Sequence, residues 1–396
     1  VRETHAFEAG RRPRATANSL VRPVRAESGA GIDAGVRVNT FAVRDLAAST
    51  DADLGGASDV LTADERRRVL DEWATGVELR EAPGIADLVD RARMTPGIRT
   101  AVRCGTVTLT YSDFFAWLEM SPVDWVSANA SVDRLVRLVA MLGDGATALA
   151  GVAPETAVLP GSALEVAVED RRTIAAERRC GKTDRVWGAA DVRLLSAGWS
   201  DAQMAVELLA ALADGAASVV ATESQWSDPN AMVELIATNA VTHVTADGAT
   251  VERIAATGSE LPTVRRWDVT GACPEPLLSG RLAALSPKSI ATFGYTVPAY
   301  AGTVTRGSLD RTGRTRPIPG ARVLVLDEDR QPVPPGVIGE VYVGGAALGA
   351  EGGDPPAVDR FVDDPFLPEG RLFRTGDRAG WTTDGVLLCA CRACRS

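Results

Sequence analysis

Lysine and histidine are nearly missing from this 396-residue chain: its 42 basic side chains are arginines except for Lys182 and Lys288, and its two histidines are His5 and His243. A Schiff base, a lysine-cradled phosphate or a histidine proton relay would have to use one of those four residues. Positive charge is also in deficit, since 52 acids give a formal net charge of −10. That balance argues against a nucleic-acid partner, which requires a basic face. Missing too is any run of about 18 apolar residues, the length that crosses a membrane. The N-terminal segment is arginine-rich and has no apolar stretch of signal-peptide type, so a cytoplasmic protein without a membrane partner is expected. Six cysteines in a chain of this length do not make a disulfide scaffold, and reduced thiols are expected.

What is present organises the chain into three stretches. Residues 1–58 lack periodicity apart from one strand-like segment at 36–43 and read as an interdomain linker or the tail of a preceding domain. At Thr62 and Glu65 a capping box opens a helix with Val69, Leu70 and Trp73 on its apolar stripe. A hairpin follows at 101–111, turning at Cys104-Gly105, then a helix capped by Ser112 and another over 132–142. Ser200 and Gln203 form a second capping box, and Gly215 stops that helix before a strand at 217–221. Further strands at 241–245, 264–270 and 289–294 alternate with helices. The pattern predicts an α/β fold with helix-covered, mostly parallel sheets over residues 59–320. Residues 321–396 read as an appended β-rich subdomain, because the strands at 321–327 and 339–345 follow one another in a meander-like pattern across a connection that contains Pro and Gly.

Several motifs suggest chemistry and are better read as structure. The CGKT string at 180–183 has the end of a phosphate-binding loop, yet Ala176 stands where that pattern needs glycine, so a solvated turn is expected. Cys389, Cys391 and Cys394 have no second pair upstream to complete a zinc site. No metal ligand set is therefore assigned. His243 lies in a β-branched strand and is expected to be a satisfied core residue, and Asp363-Asp364 a solvated turn before Pro365. FRTGDRAGW at 373–381 is more informative. Its Thr-Gly-Asp turn presents the Asp377 carboxylate where it can accept two hydrogen bonds from a vicinal diol.

The ordered strings LTADERRRVLDEW, LTYSDF, VTHVT, ATFGYTVPAYAGT, RPIPGARVLVLDEDRQPVPPGVIGEVYVGG and RLFRTGDRAGWTTDGVLLCACR resemble the adenylation domain of a nonribosomal peptide synthetase across residues 59–396. The resemblance implies the adenylate-forming enzyme fold, ATP and Mg²⁺ as cofactors of an active member, and carrier-protein and condensation-type domains as partners, with room for a small activator protein. It further implies a nucleotide site. Asp377 would hold the ribose, Arg392 would contact the nucleotide, Phe293 would stack on adenine, and Gly294 and Thr296 would continue that motif. Gly161 and Ser162 match what is left of the phosphate loop. The residue facing a substrate amino group falls at Asp201 or at Ala202, depending on one insertion.

Departures from the family pattern cluster on the chemistry. Val297 stands where the magnesium-binding glutamate is expected, and an aliphatic side chain cannot ligate a hard cation. Tyr295 replaces the motif's proline, the phosphate-loop lysine is absent, and the N-terminal subdomain is shortened between Leu142 and Asp184. The catalytic lysine of the family lies in a C-terminal lid that this sequence, ending at Ser396, does not include. Each lost stabiliser of a transferring phosphoryl group is worth about 3 kcal/mol. The expectation is a degenerate adenylation domain, without catalytic residues, that acts as an interdomain scaffold. Two alternatives stand beside it: an active aminoacyl-adenylating domain completed by a lid outside this chain, and an unrelated α/β binding protein.

Overall fold

The computed structural model describes residues 61–76, 82–119, 134–139, 148–150, 158–176, 188, 190–196, 199–272, 277–310, 312–350 and 359–389. The linker 1–58, the strand expected at 36–43, the CGKT string, Cys391, Arg392 and Cys394 lie outside these residues. Every described residue belongs to one contact unit, Phe41–Ser396.

Helix α1 (Ala63–Arg67) starts at the predicted box: Thr62 accepts from the Glu65 N–H at 3.2 Å, and the Glu65 carboxylate accepts from the Thr62 N–H at 3.0 Å. It continues as one π-helical turn, Arg68–Glu72, that buries Val69 and Leu70. After α2 (Ile85–Arg93) comes the predicted hairpin, β1 (Thr100–Cys104) and β2 (Val107–Thr110), with Gly105 at φ 56 in its turn. Helix α3 (Tyr111–Glu119) is capped by Thr110, whose hydroxyl accepts from the Asp113 N–H at 3.1 Å. Ser112 is therefore not the cap: the carboxylate at 113 reaches back to Thr110 and starts the helix two residues earlier.

The short antiparallel pair β3 (Ala148–Ala150) and β4 (Val158–Pro160) leads directly into α4 (Gly161–Ala176), a 16-residue helix. Next come β5 (Val192–Ser196), α5 (Asp201–Ala213) and β6 (Ala217–Ala221). At the start of α5 Ser200 accepts from the Gln203 N–H at 3.2 Å, and after its end Gly215 turns the chain at φ 70. Helix α5 is apolar almost all round, as suits a helix packed between α2, α4 and the sheet. Helices α6 (Glu223–Ser227) and α7 (Pro229–Thr238) precede β7 (His243–Asp247). Then follow α8 (Gly248–Ala256), β8 (Arg266–Gly271), α9 (Leu278–Leu285) and β9 (Ile290–Tyr295).

The remaining strands are β10 (Thr305–Ser308), β11 (Arg314–Pro317), β12 (Ala321–Leu326), β13 (Gly339–Gly345), β14 (Phe361–Asp363), β15 (Arg371–Trp381) and β16 (Leu387–Cys389). Thirteen strands follow one another in the order β12-β13-β15-β16-β11-β10-β9-β8-β7-β5-β6-β1-β2, with β14 on β15. From β1 through β6, β5, β7 and β8 to β9 each pair is parallel, and from β9 through β10 to β12 each is antiparallel. The mixed α/β architecture and its β-rich tail agree with the sequence reading. The change to antiparallel pairing comes at β10, earlier than residue 321.

Asp364 departs from the expected solvated turn. It is 6% exposed and accepts from Arg322 Nε at 2.6 Å and from the Phe366 N–H at 2.9 Å. His243 is the expected core residue, with Nδ1 at 2.8 Å from the Thr242 hydroxyl. Burial, helped by the charge of Arg193, pushes its pKa down to about 3.

Candidate functional site

In an open α/β sheet, ligands bind beyond the carboxyl ends of the parallel strands. Here a cavity of about 390 Å³ lies at those ends, lined by Thr245 and Asp247 of β7, Asp268 to Gly271 of β8 and Thr292 and Gly294 of β9. Helices α4 and α5 contribute Ala167, Asp170, Arg171, Ala202, Val206 and Glu207. Trp199 and Trp226 meet edge to face at its rim, ring centroids 5.7 Å apart.

Charge fills the interior. The Arg171 fork donates from Nε to Glu207 Oε1 at 2.7 Å, from Nη1 to Asp268 Oδ2 at 2.9 Å and from Nη2 to the Thr245 hydroxyl. Asp268 also accepts from Arg266 Nε at 2.8 Å and from the Thr292 hydroxyl at 2.6 Å. Burial opposes the charge on Asp268, but Arg171 and Arg266 outweigh it and hold the carboxyl well below the usual carboxylate range. Burial likewise opposes the Arg171 charge, and Glu207 and Asp268 reverse it, so the guanidinium stays protonated. Beside this cluster Asp170 is gripped bidentately by Arg306, at 3.1 and 2.6 Å.

The sequence-derived residues fall in three groups. Gly294, Thr296 and Ala202 line the cavity. Gly294 is there by necessity, because a Cβ at that position would lie 2.7 Å from Thr303 Cγ2. Asp201 is the first residue of α5. Phe293 is a correction: alternation along β9 sends its ring away from the cavity into the core, at 1% exposure, so the expected adenine face is packed against protein. Gly161 and Ser162 form the first turn of α4 and do not line the cavity. The expected loop remnant is thus helical, since nothing after Pro160 interrupts helix formation. Val297 lines the cavity with an apolar side chain that is 5% exposed.

Asp377 sits in β15, where its N–H donates to the Thr375 hydroxyl at 3.0 Å. Its Oδ2 accepts from the Tyr295 hydroxyl at 2.7 Å. The residue that replaces proline in the motif is thus the one that engages this carboxylate. Sequence reasoning missed Arg171, although a signal was present. Leu164, Ala167, Val168 and Ala175 define the buried stripe of α4, and Arg171 interrupts that stripe at helical spacing. A charge in an apolar stripe implies a buried partner.

Residues 171–350 match the family described as AMP-binding enzyme. Phosphinothricin tripeptide synthetase PhsB of Streptomyces viridochromogenes is 49% identical over 75 residues, 18% of this chain and 6% of that protein. One polypeptide of the plipastatin synthase of Bacillus subtilis is 35% identical over 150 residues, 35% of this chain and 6% of that protein. The chain therefore spans only a small part of these relatives. Among solved structures, the nonribosomal peptide synthetase FmoA3 in its AMPPNP-bound form superposes with a TM-score of 0.69 at 17% identity, over 83% of this chain and 45% of that one. At that identity the likeness concerns the fold. The family match, the relatives and the fold converge on one identification: the chain carries an adenylation-type domain, similar to those of nonribosomal peptide synthetases, whose residues 171–350 match the AMP-binding enzyme family.

Proposed function

We propose that this domain no longer forms adenylates and serves in a peptide synthetase as a spacer between condensation-type and carrier-protein domains. The observation that carries this reading is the 2.7 Å hydrogen bond from Tyr295 to Asp377. By resemblance Asp377 is the ribose carboxylate. One of its oxygens already accepts from a buried phenol, so a vicinal diol would have to share or displace that hydrogen bond to be held by both oxygens.

The residues present do not fit ATP and Mg²⁺. Val297 offers no oxygen at the metal position, the Phe293 ring has no free face, and Gly161 and Ser162 lie in a helix outside the cavity. A spacer needs only the apolar framework, and among the described residues one buried apolar cluster extends from Val69 to Leu387.

The test is amino-acid-dependent exchange between ATP and pyrophosphate, measured on the full-length synthetase that contains this chain. No exchange attributable to this domain is expected, and product formation should fall when residues 59–396 are excised. Exchange that disappears on Asp377→Ala would overturn the reading in favour of an active aminoacyl-adenylating domain completed from outside the chain.

A further inference from the structure

We propose that Glu207, Asp268 and Thr245 form a cation-receptor subsite of the cavity, and that Arg171 of this same chain is its intramolecular occupant, closing the cavity from within. The inference rests on the reading of this cavity as the site of a non-adenylating domain, and it names how that site is closed.

The receptor is built from three elements that are distant in sequence. Glu207 comes from α5, Asp268 from β8 and Thr245 from β7, and their oxygens surround one planar fork that enters from α4. Two carboxylates face two guanidinium groups, because Arg266 donates to Asp268 at 2.8 and 3.0 Å. Without Arg171 the recess would therefore hold one uncompensated negative charge and acceptors on three sides. That arrangement suits a monocation with several planar donors, such as a guanidinium, and less well a primary ammonium. The acceptor side chains are almost fully enclosed, at 7% exposure for Glu207 and 8% for Asp268, so an occupant must supply the charge that water cannot.

A second tie shows that α4 as a whole is held, not one side chain alone. The neighbouring Asp170 is chelated by Arg306 of β10, whose side chain is 18% exposed. Adjacent residues of one helix are thus fastened to two strands of the sheet, β8 and β10, which flank β9. Arg171 itself lines the remaining 390 Å³ void that continues toward Trp199 and Trp226. Asp247, the other acid on the lining, is exposed and already caps α8, accepting from the Thr250 N–H at 2.9 Å and hydroxyl at 2.7 Å. The cation subsite proper is therefore the Glu207 and Asp268 recess.

The experiment is chemical rescue of Arg171→Ala, read as the thermal unfolding midpoint in methylguanidinium chloride against sodium chloride of equal ionic strength. Methylguanidinium at about ten times its dissociation constant should raise the midpoint of Arg171→Ala by about 3 °C. It should leave the wild-type midpoint unchanged, and it should fail on the double variant Arg171→Ala/Glu207→Gln. Tetramethylammonium, which cannot donate hydrogen bonds, should not rescue. Absence of rescue, or an equal rise in the wild type or the double variant, overturns the proposal. If Arg171→Ala is recovered only unfolded, methylguanidinium is added during refolding, and the proposal fails unless it raises the folded yield above that in sodium chloride. The readout is stability, not exchange, so exchange activity could refute the spacer reading while rescue still stood.

Discussion

The ion pairs anchored on strands β5 and β8 lie inside the protein, whereas around β13, β15 and β16 most lie at its surface. Arg281 and Glu252, which pair between α8 and α9 at 45% and 43% exposure, are the surface exception of the first region. Arg193 reaches Asp214 with side chains 3% and 1% exposed, and Arg171 reaches Glu207 at 11% and 7%. In the antiparallel part, Arg374 and Glu340 are 56% and 22% exposed, and Arg314 and Asp384 are 39% and 58% exposed. The Arg322–Asp364 pair, at 11% and 1%, is an enclosed exception. Parallel strands are covered by helices, so any charge among them must find a protein partner, while an antiparallel edge can leave charge to water. A similar list of arginine–carboxylate contacts therefore carries very different energies in the two regions.

The strongest way to break this contrast is to remove its centre. Asp268→Ala leaves Arg171 and Arg266 facing each other without their shared carboxylate. A loss of about 3–5 kcal/mol in unfolding free energy is expected, measured by denaturant titration. A loss below about 1 kcal/mol would mean that water already reaches the cluster and that the two regions do not differ.

Acid probes the same interior without truncating the network. Buried His243 stays neutral down to about pH 3, while an unfolded histidine takes its proton near pH 6.5. Between those values the unfolded chain binds the extra proton. Stability from this group is complete above about pH 6.5 and is lost as pH falls, with a slope approaching 1.4 kcal/mol per pH unit. Asp268, whose pKa is depressed, loses its contribution only below the ordinary carboxylate range, so pH 4.5–6 isolates the histidine. Unfolding free energy measured across that window should be steeper in the wild type than in His243→Gln. Equal slopes would place the ring in solvent.

At the seam between the regions, Gly294→Ala tests how tightly β9 faces the cavity. The added methyl would sit 2.7 Å from Thr303 Cγ2, and a β-branched neighbour has little rotamer freedom to yield. A cost of about 1–2 kcal/mol is expected from thermal or denaturant unfolding. A neutral substitution would show that the segment after β9 moves aside readily.

Legibility in the sequence followed the same division. Alternating apolar strands and capping residues located most elements: β6 and β13 fall at the predicted residues, and Thr62 with Glu65 forms the predicted box. Local hydrogen-bond chemistry acts within a few residues, so the sequence displays it directly. The turn glycines, Gly105 and Gly215, were legible for the same reason. The interior network was not, because Arg171 and Asp268 are 97 positions apart and only the folded sheet brings them together. Phe293 was misjudged on the opposite ground. The motif suggested a nucleotide contact, but the pleat of β9 decides which face a ring takes, and a one-residue phase in a strand reverses it.

The smallest expected effect comes from the surface side of the comparison. Arg374 engages both oxygens of Glu340, at 2.7 and 2.9 Å, which is better geometry than many buried pairs achieve. Yet Arg374 is more than half exposed, so water already solvates both ions, and ordering two long side chains costs entropy that the pair only just recovers. Arg374→Ala should change unfolding free energy by no more than about 0.5 kcal/mol at moderate salt, and raising the salt should shrink even that. If this substitution instead approached the cost of Asp268→Ala, hydrogen-bond geometry and not burial would govern the ion pairs of this domain. The contrast between its two regions would then lose its physical basis.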